Sequence, residues 1–162
     1  MSFSKEVVDI TDESVNLVYM LQLKGVPKSQ ARPRLGKYGF YNPRSREMAA
    51  FKAEIKAGIS TVPMFASNKP VVVKVKFFMR RPDTHFKNRA RWNPLKAILP
   101  HACVATPDID NLVKFVLDGM NGLVYKDDKQ VVKLVAYKLY DSEGDCGGRT
   151  VVEVTEFDER SD

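Results

Sequence analysis

Two short stretches hold the residue types with the most chemical potential: Thr106-Pro107-Asp108-Ile109-Asp110-Asn111-Leu112-Val113-Lys114 and Lys126-Asp127-Asp128-Lys129-Gln130. Hard divalent cations such as Mg²⁺ take a few carboxylate oxygens, keep several waters and leave positions open to phosphate oxygens. Asp108, Asp110 and one of Asp127 or Asp128 supply such a set if the two stretches meet. In metal-assisted phosphodiester hydrolysis the ion polarises the phosphate and helps a water ionise, while a nearby cation offsets charge growing in the transition state. Lys114, one helical turn past Asp110, suits the last role. Each position also has an ordinary structural use. Asp-x-Asp before a helix is commonly a cap and a solvated turn, and an Asp-Asp dipeptide before a strand is commonly a turn. Lys114 can pair with Asp110 or Asp118 along the helix for about 0.2–0.5 kcal/mol; Asp118 is read as structural. Two acidic clusters, a lysine at i+4 and a strongly basic chain upstream together favour the metal reading.

These residues, with Leu117-Asp118-Gly119-Met120-Asn121 between them, resemble the signature of RusA-type Holliday junction resolvases. The likeness spans roughly residues 100–140 and extends more loosely to Pro27, Arg32 and Arg34. It implies a Mg²⁺-dependent endodeoxyribonuclease, with Mn²⁺ as a substitute ion, that nicks four-way junction DNA symmetrically in recombination and repair. Such enzymes are often encoded by phages or prophages. The resemblance makes Asp108 and Asp110 the first two catalytic aspartates, Lys114 the essential lysine and Asp128 the third aspartate, with Asp127 an alternative metal ligand. One acidic motif per chain gives one active site, yet resolution needs two cuts related by a twofold axis, so a homodimer is expected. The contrasting expectation is a basic DNA- or RNA-binding protein without catalysis, its carboxylates serving as caps and turns.

The charge distribution supports a polyanionic partner. Of the net +6, residues 24–96 contribute 18 bases against three acids, whereas residues 97–162 hold seven bases against 13 acids. Lys28, Arg32, Arg34, Lys37, Arg44 and Arg46 form one basic cluster, with Tyr38, Phe40 and Tyr41 interleaved. Arg80, Arg81, Lys87, Arg89 and Arg91 form another, beside Phe86 and Trp92. Such cations contact phosphates without sequence choice, and aromatic rings stack on exposed bases or fill a core. The two cysteines are too few for a disulfide framework, and His101, Cys103 and Cys146 do not complete a four-ligand zinc pattern. No apolar run approaches the roughly 20 residues of a membrane span, and the amino terminus is polar and acidic, so a cytoplasmic protein without membrane contact is expected.

Positioning these groups requires a frame. At 162 residues the chain has the size of one domain, with residues 1–14 a loosely held leading segment. Val15, Leu17, Tyr19, Leu21 and Leu23 alternate as in a half-buried strand. Residues 24–47 read as a long basic loop. Asn42 and Pro43 read as cap and first residue of a helix over 43–58, built on Met48, Phe51, Ile55 and Ile59. Val71, Val73, Val75, Phe77 and Met79 mark a second strand; residues 82–107 are Pro-rich and irregular. Asp110 is expected to cap a helix that ends near Gly122, and two strands, 130–140 and 149–157, are expected to form a hairpin through DSEGDCGG. The order β-α-β-α-β-β predicts an α+β, two-layer domain: a mixed sheet of about four strands with two main helices on one face.

Overall fold

Alternation of apolar and polar side chains builds the sheet, and helical spacing builds what covers it. The computed structural model describes residues 17–91 and 93–160; the expectations for residues 1–14, Val15 and Trp92 lie outside the described residues. Strand β1, Val18–Lys24, buries Tyr19 and Leu21. Within the segment read as a basic loop, Arg34–Gly36 (β2) and Gly39–Tyr41 (β3) form a small antiparallel hairpin. Strands of three residues are too short to show an alternating pattern, and Gly36 and Gly39 are poor strand residues, so the chain carried no signal for them. Helix α1, Ser45–Ala57, starts two residues later than expected. Asn42 Oδ1 instead accepts from the Arg44 N–H at 2.8 Å, turning the chain ahead of the helix. Strand β4, Val71–Met79, buries Val71, Val73, Val75, Phe77 and Met79 on one face and exposes Lys74 and Lys76 on the other.

Helix α2, Ile109–Met120, opens two residues earlier than expected, so Asp108 rather than Asp110 occupies its N-cap position. Its apolar side buries Leu112, Phe115, Val116 and Met120. Strands β5, Val131–Tyr140, and β6, Arg149–Glu156, complete a four-stranded sheet in the order β1-β6-β4-β5. β5 runs parallel to β4, and β6 runs antiparallel to both β4 and β1, which makes the sheet mixed and the fold α+β. The expected β5–β6 hairpin is therefore overturned: β4 lies between them. The crossover through α2 returns β5 parallel to β4, so the chain must then step over β4, about 10 Å, to reach the free side. Residues 141–148 make that step. Asp141 N donates to Met79 O at 2.8 Å and Arg81 N donates to Cys146 O at 3.1 Å.

Both helices cover one face of the sheet and share a core with β1, β4 and β6. The Phe51 and Phe115 rings stack at 5.4 Å across the α1–α2 contact. Gly119 makes that approach possible, because a Cβ there would overlap the Phe51 ring. Truncating either aromatic to alanine would cost about 3–5 kcal/mol, so this contact ties the helix bearing the acidic residues to the rest of the core. Among the described residues, no helix is long and apolar enough to cross a membrane.

Candidate active site

Asp110, Asp118 and Asp128 reach one cleft because α2 crosses between two adjacent parallel strands, whereas Asp108 and Asp127 are not among its lining residues. Asp108 has extended backbone (φ −68°, ψ 147°), and its side chain makes no capping hydrogen bond to the helix it precedes. Asp110, Lys114 and Asp118 follow at four-residue intervals, one above another on the same side of α2. Past the end of the helix, the 3₁₀ turn Asp128–Gln130 brings the second acidic stretch back. Asp110, Lys114, Asp118 and Asp128 line one open cleft of about 430 Å³, together with Ile109, Val113 and Leu117 of α2 and Leu134 and Ala136 of β5. Tyr125 registers the same convergence. Its ring is fully buried and its hydroxyl donates to Leu117 O at 3.2 Å. Burial pushes its pKa well above the ordinary tyrosine value, and the negative charges of Asp128 and Asp118 push it further.

Asp127 and Asp128 do different things. Asp127 Oδ1 accepts from the Lys129 N–H at 3.0 Å, and Gln130 Oε1 accepts reciprocally from the N–H groups of Lys126 and Asp127 at 2.9 and 3.1 Å. Gln130 Nε2 then donates to Ala66 O and Lys69 O, fixing the turn to the neighbouring loop. The Lys129 N–H bond is the main cause holding the Asp127 carboxyl below its usual range. Asp127 is thus the cap of the turn, and Asp128 is the one that lines the cleft. The ordinary surface pairing of Lys114 is absent: among the described residues it forms no ion pair.

Three further residues position the site. Gln30 Nε2 donates to Asp118 Oδ2 at 2.6 Å while the Gln30 N–H donates to Asn111 O at 2.9 Å, so the basic segment before β2 is fastened to α2 at two points. Lys138 of β5 donates to Ala105 O at 2.7 Å and Pro107 O at 2.9 Å, holding the stretch that delivers Asp108. Asp118, read as structural from the sequence, therefore both lines the cleft and anchors the loop. The four-residue spacing from Asp110 was its signal. Gln30 and Lys138 lie in runs of mixed polarity that single out neither.

Among the described residues, no three His, Cys, Asp or Glu side chains converge tightly enough to form a complete metal cage. The oxygen-only donors in the cleft suit a hard cation that keeps much of its water, rather than zinc. Cys103 belongs to the core, and Cys146 lies in the 141–148 connection, its thiol pKa raised first by burial and then by Asp141.

The basic residues divide. Lys28, Arg32, Arg34, Lys37, Arg46, Arg80, Lys87 and Arg89 are exposed. Arg44 pairs with Glu47 at 2.9 Å on the α1 surface. Arg81 and Arg91, both in the expected DNA-contacting set, are engaged within the protein. Arg81 is 4% exposed; its guanidinium donates to Asp141 O, Pro100 O and Ser142 Oγ and lies over the Tyr140 ring. Arg91 donates to the carbonyls of Arg81, Asp145 and Cys146. Both guanidiniums join the irregular 82–107 segment to the 141–148 connection. Charge counting treats them as surface cations because sequence alone cannot show which carbonyls a loop turns inward.

The family profile described as Endodeoxyribonuclease RusA matches residues 24–155. The chain belongs to the RusA family. Among RusA-related proteins, it is 32% identical over 136 residues to the "Crossover junction endodeoxyribonuclease rusA" of Lactococcus phage r1t, covering 83% of this chain and 87% of the phage protein. It is also 32% identical over 124 residues to the "Uncharacterized protein YqaN" of Bacillus subtilis (strain 168), covering 74% and 85% of the two chains. The RusA match begins at the end of β1 and takes in the basic hairpin, both helices and the whole acidic cleft.

Proposed function

We propose that this RusA-family chain is an endodeoxyribonuclease that resolves four-way DNA junctions by paired symmetric nicks, acting as a homodimer in the bacterial cytoplasm. The observation that carries the reading is the convergence of Asp110, Lys114 and Asp128 in one cleft, with Asp108 at the N-cap of the same helix. The family match and the name of the phage relative support the junction as substrate. Asp108, Asp110 and Asp128 are the residues that would hold Mg²⁺, or Mn²⁺ in its place. When bound, the ion supplies Lewis-acid polarisation of the phosphate and a more acidic water.

The rest is the work of the chain. Lys114, one turn beyond Asp110 and without an ion-pair partner among the described residues, supplies positive charge where the pentavalent phosphorus gathers negative charge. Asp127 and Gln130 brace the turn that carries Asp128 to the cleft it shares with Asp110. Lys138 holds the approach to Asp108. Lys28, Arg32, Arg34, Lys37 and Arg46, with Arg80, Lys87 and Arg89, bind the phosphate backbone and fix the register of the duplex arms. Incubation of a synthetic four-way junction with Mg²⁺, alongside linear duplex and an EDTA control, tests the reading. Paired symmetric nicks confined to the junction are expected; an intact junction, or equal cutting of linear duplex, overturns it.

A further inference from the structure

Between Lys24 and Arg46 the chain carries seven bases and no acid, and the β2–β3 hairpin occupies the middle of that run. Its pairing sets Leu35 opposite Phe40. Directly opposed residues of an antiparallel pair share a face, so these two side chains form one apolar surface, and they are 74% and 79% exposed. Tyr38, in the connecting turn, is 93% exposed. On the other face Tyr41 lies against Gly36, where a Cβ would stand 3.2 Å from its ring carbons, and is less exposed, at 52%. An uncovered cluster of large apolar side chains at the end of a projecting hairpin marks a contact surface.

Its surroundings select the partner. Arg32, Arg34 and Lys37 flank the apolar pair, and no carboxylate lies anywhere in the run to neutralise them, a composition complementary to a polyanion that also offers flat apolar faces. DNA with an interrupted stack is such a partner. The hairpin is also tethered near the acidic cleft. Gln30 is fastened to Asn111 and Asp118 of α2, and the five residues from Gln30 to Leu35 span no more than about 18 Å even when fully extended. A hairpin held that close can meet the branch point while the cleft meets a phosphate beside it.

We infer that the Leu35–Phe40 face, with Tyr38 at its tip, is a wedge that lies against the open base step at the centre of a branched DNA, and that this contact distinguishes branched from linear DNA. The wedge rests on the junction-resolving reading for the identity of its ligand. Apolar side chains placed against an opened step exchange base–base stacking for base–protein stacking, which intact duplex offers only at the cost of unstacking.

A junction carrying 2-aminopurine beside the branch point, titrated with the full chain in EDTA, reads the contact without cleavage. The native protein is expected to raise the fluorescence. A Leu35→Ser, Phe40→Ser double variant is expected to lose that rise and to bind the junction at least about fivefold more weakly, with linear-duplex affinity unchanged within about twofold. Phe40→Trp is expected to retain the rise. The substituted side chains are exposed, so folding is not at stake, and sedimentation checks the oligomeric state in parallel. Unchanged fluorescence and affinity in the double variant overturns the wedge. So does an equal loss on linear duplex, or a change of oligomeric state, which would make this face an interface between copies of the chain. A native protein that unstacks the branch point yet fails to nick it in Mg²⁺ overturns the resolvase reading and leaves the wedge standing.

Discussion

Asp127 commits its carboxylate to the Lys129 N–H, whereas Asp128 turns into the cleft with Asp110. Asparagine keeps an acceptor oxygen and caps as well as aspartate does, so Asp127→Asn is expected to nick junctions at near-native rate while Asp128→Asn does not. Junction-cleavage assays on the two variants check this, and a slow Asp127→Asn enzyme would return Asp127 to the ligand set. Asp110→Asn and Lys114→Ala are each expected to lower the cleavage rate by about a hundredfold or more while gel-shift affinity for the junction persists. Much of this site was legible as residue types and spacing. What the chain could not disclose was duty: adjacent aspartates with the same side chain differ only in which N–H stands within reach, and that is decided by Gln130 reaching to Ala66 and Lys69, more than 60 residues away. Asp118 is the same lesson reversed, since its partner Gln30 lies 88 residues upstream.

Elements with a sustained period were readable, and their neighbours were not. β1, β4 and both helices follow from alternation or from apolar residues three and four apart, because burial of one face forces the pattern. The β2–β3 hairpin left no pattern, since its outward residues are as apolar as core residues and its strands are three residues long. The partners of β5 and β6 were set by the α2 crossover and by the length of the 141–148 connection, not by anything local to either strand. At this scale the sensitive point is the α1–α2 contact. Gly119→Ala drives a methyl into the Phe51 ring and is expected to destabilise the fold by about 1–3 kcal/mol, read as a lower denaturant midpoint with an unchanged slope. The same variant is expected to slow cleavage, because any shift of α2 to relieve the overlap moves Asp110 and Lys114 together.

For the molecule as a whole, the uneven charge along the chain becomes a division between a cationic hairpin region and an acidic cleft, joined at Gln30. Junction affinity should fall steeply with salt, and removing one phosphate contact reduces the slope of log affinity against log salt by about 0.9. Arg32→Ala or Arg34→Ala is expected to show that reduction with little change in thermal stability. Arg81→Ala is expected to do the opposite, leaving the salt slope intact and lowering the melting temperature, because three donated bonds inside the protein are lost. Titrations across a range of KCl and a thermal melt separate the two.

The position of β6 between β1 and β4 sets the order in which the molecule can be completed as it is made. Of the four strands of this sheet, β1 is made first and its ladder partner β6 is made after the other three: Val18 pairs with Thr155 and Lys24 with Arg149. Until that strand emerges, Tyr19 and Leu21 have no neighbouring strand, while every carboxylate of the cleft has already been synthesised. Pairing between segments so far apart in the chain is slow. Assembly of the frame, rather than synthesis of the cutting residues, therefore governs when a newly made chain becomes a finished nuclease.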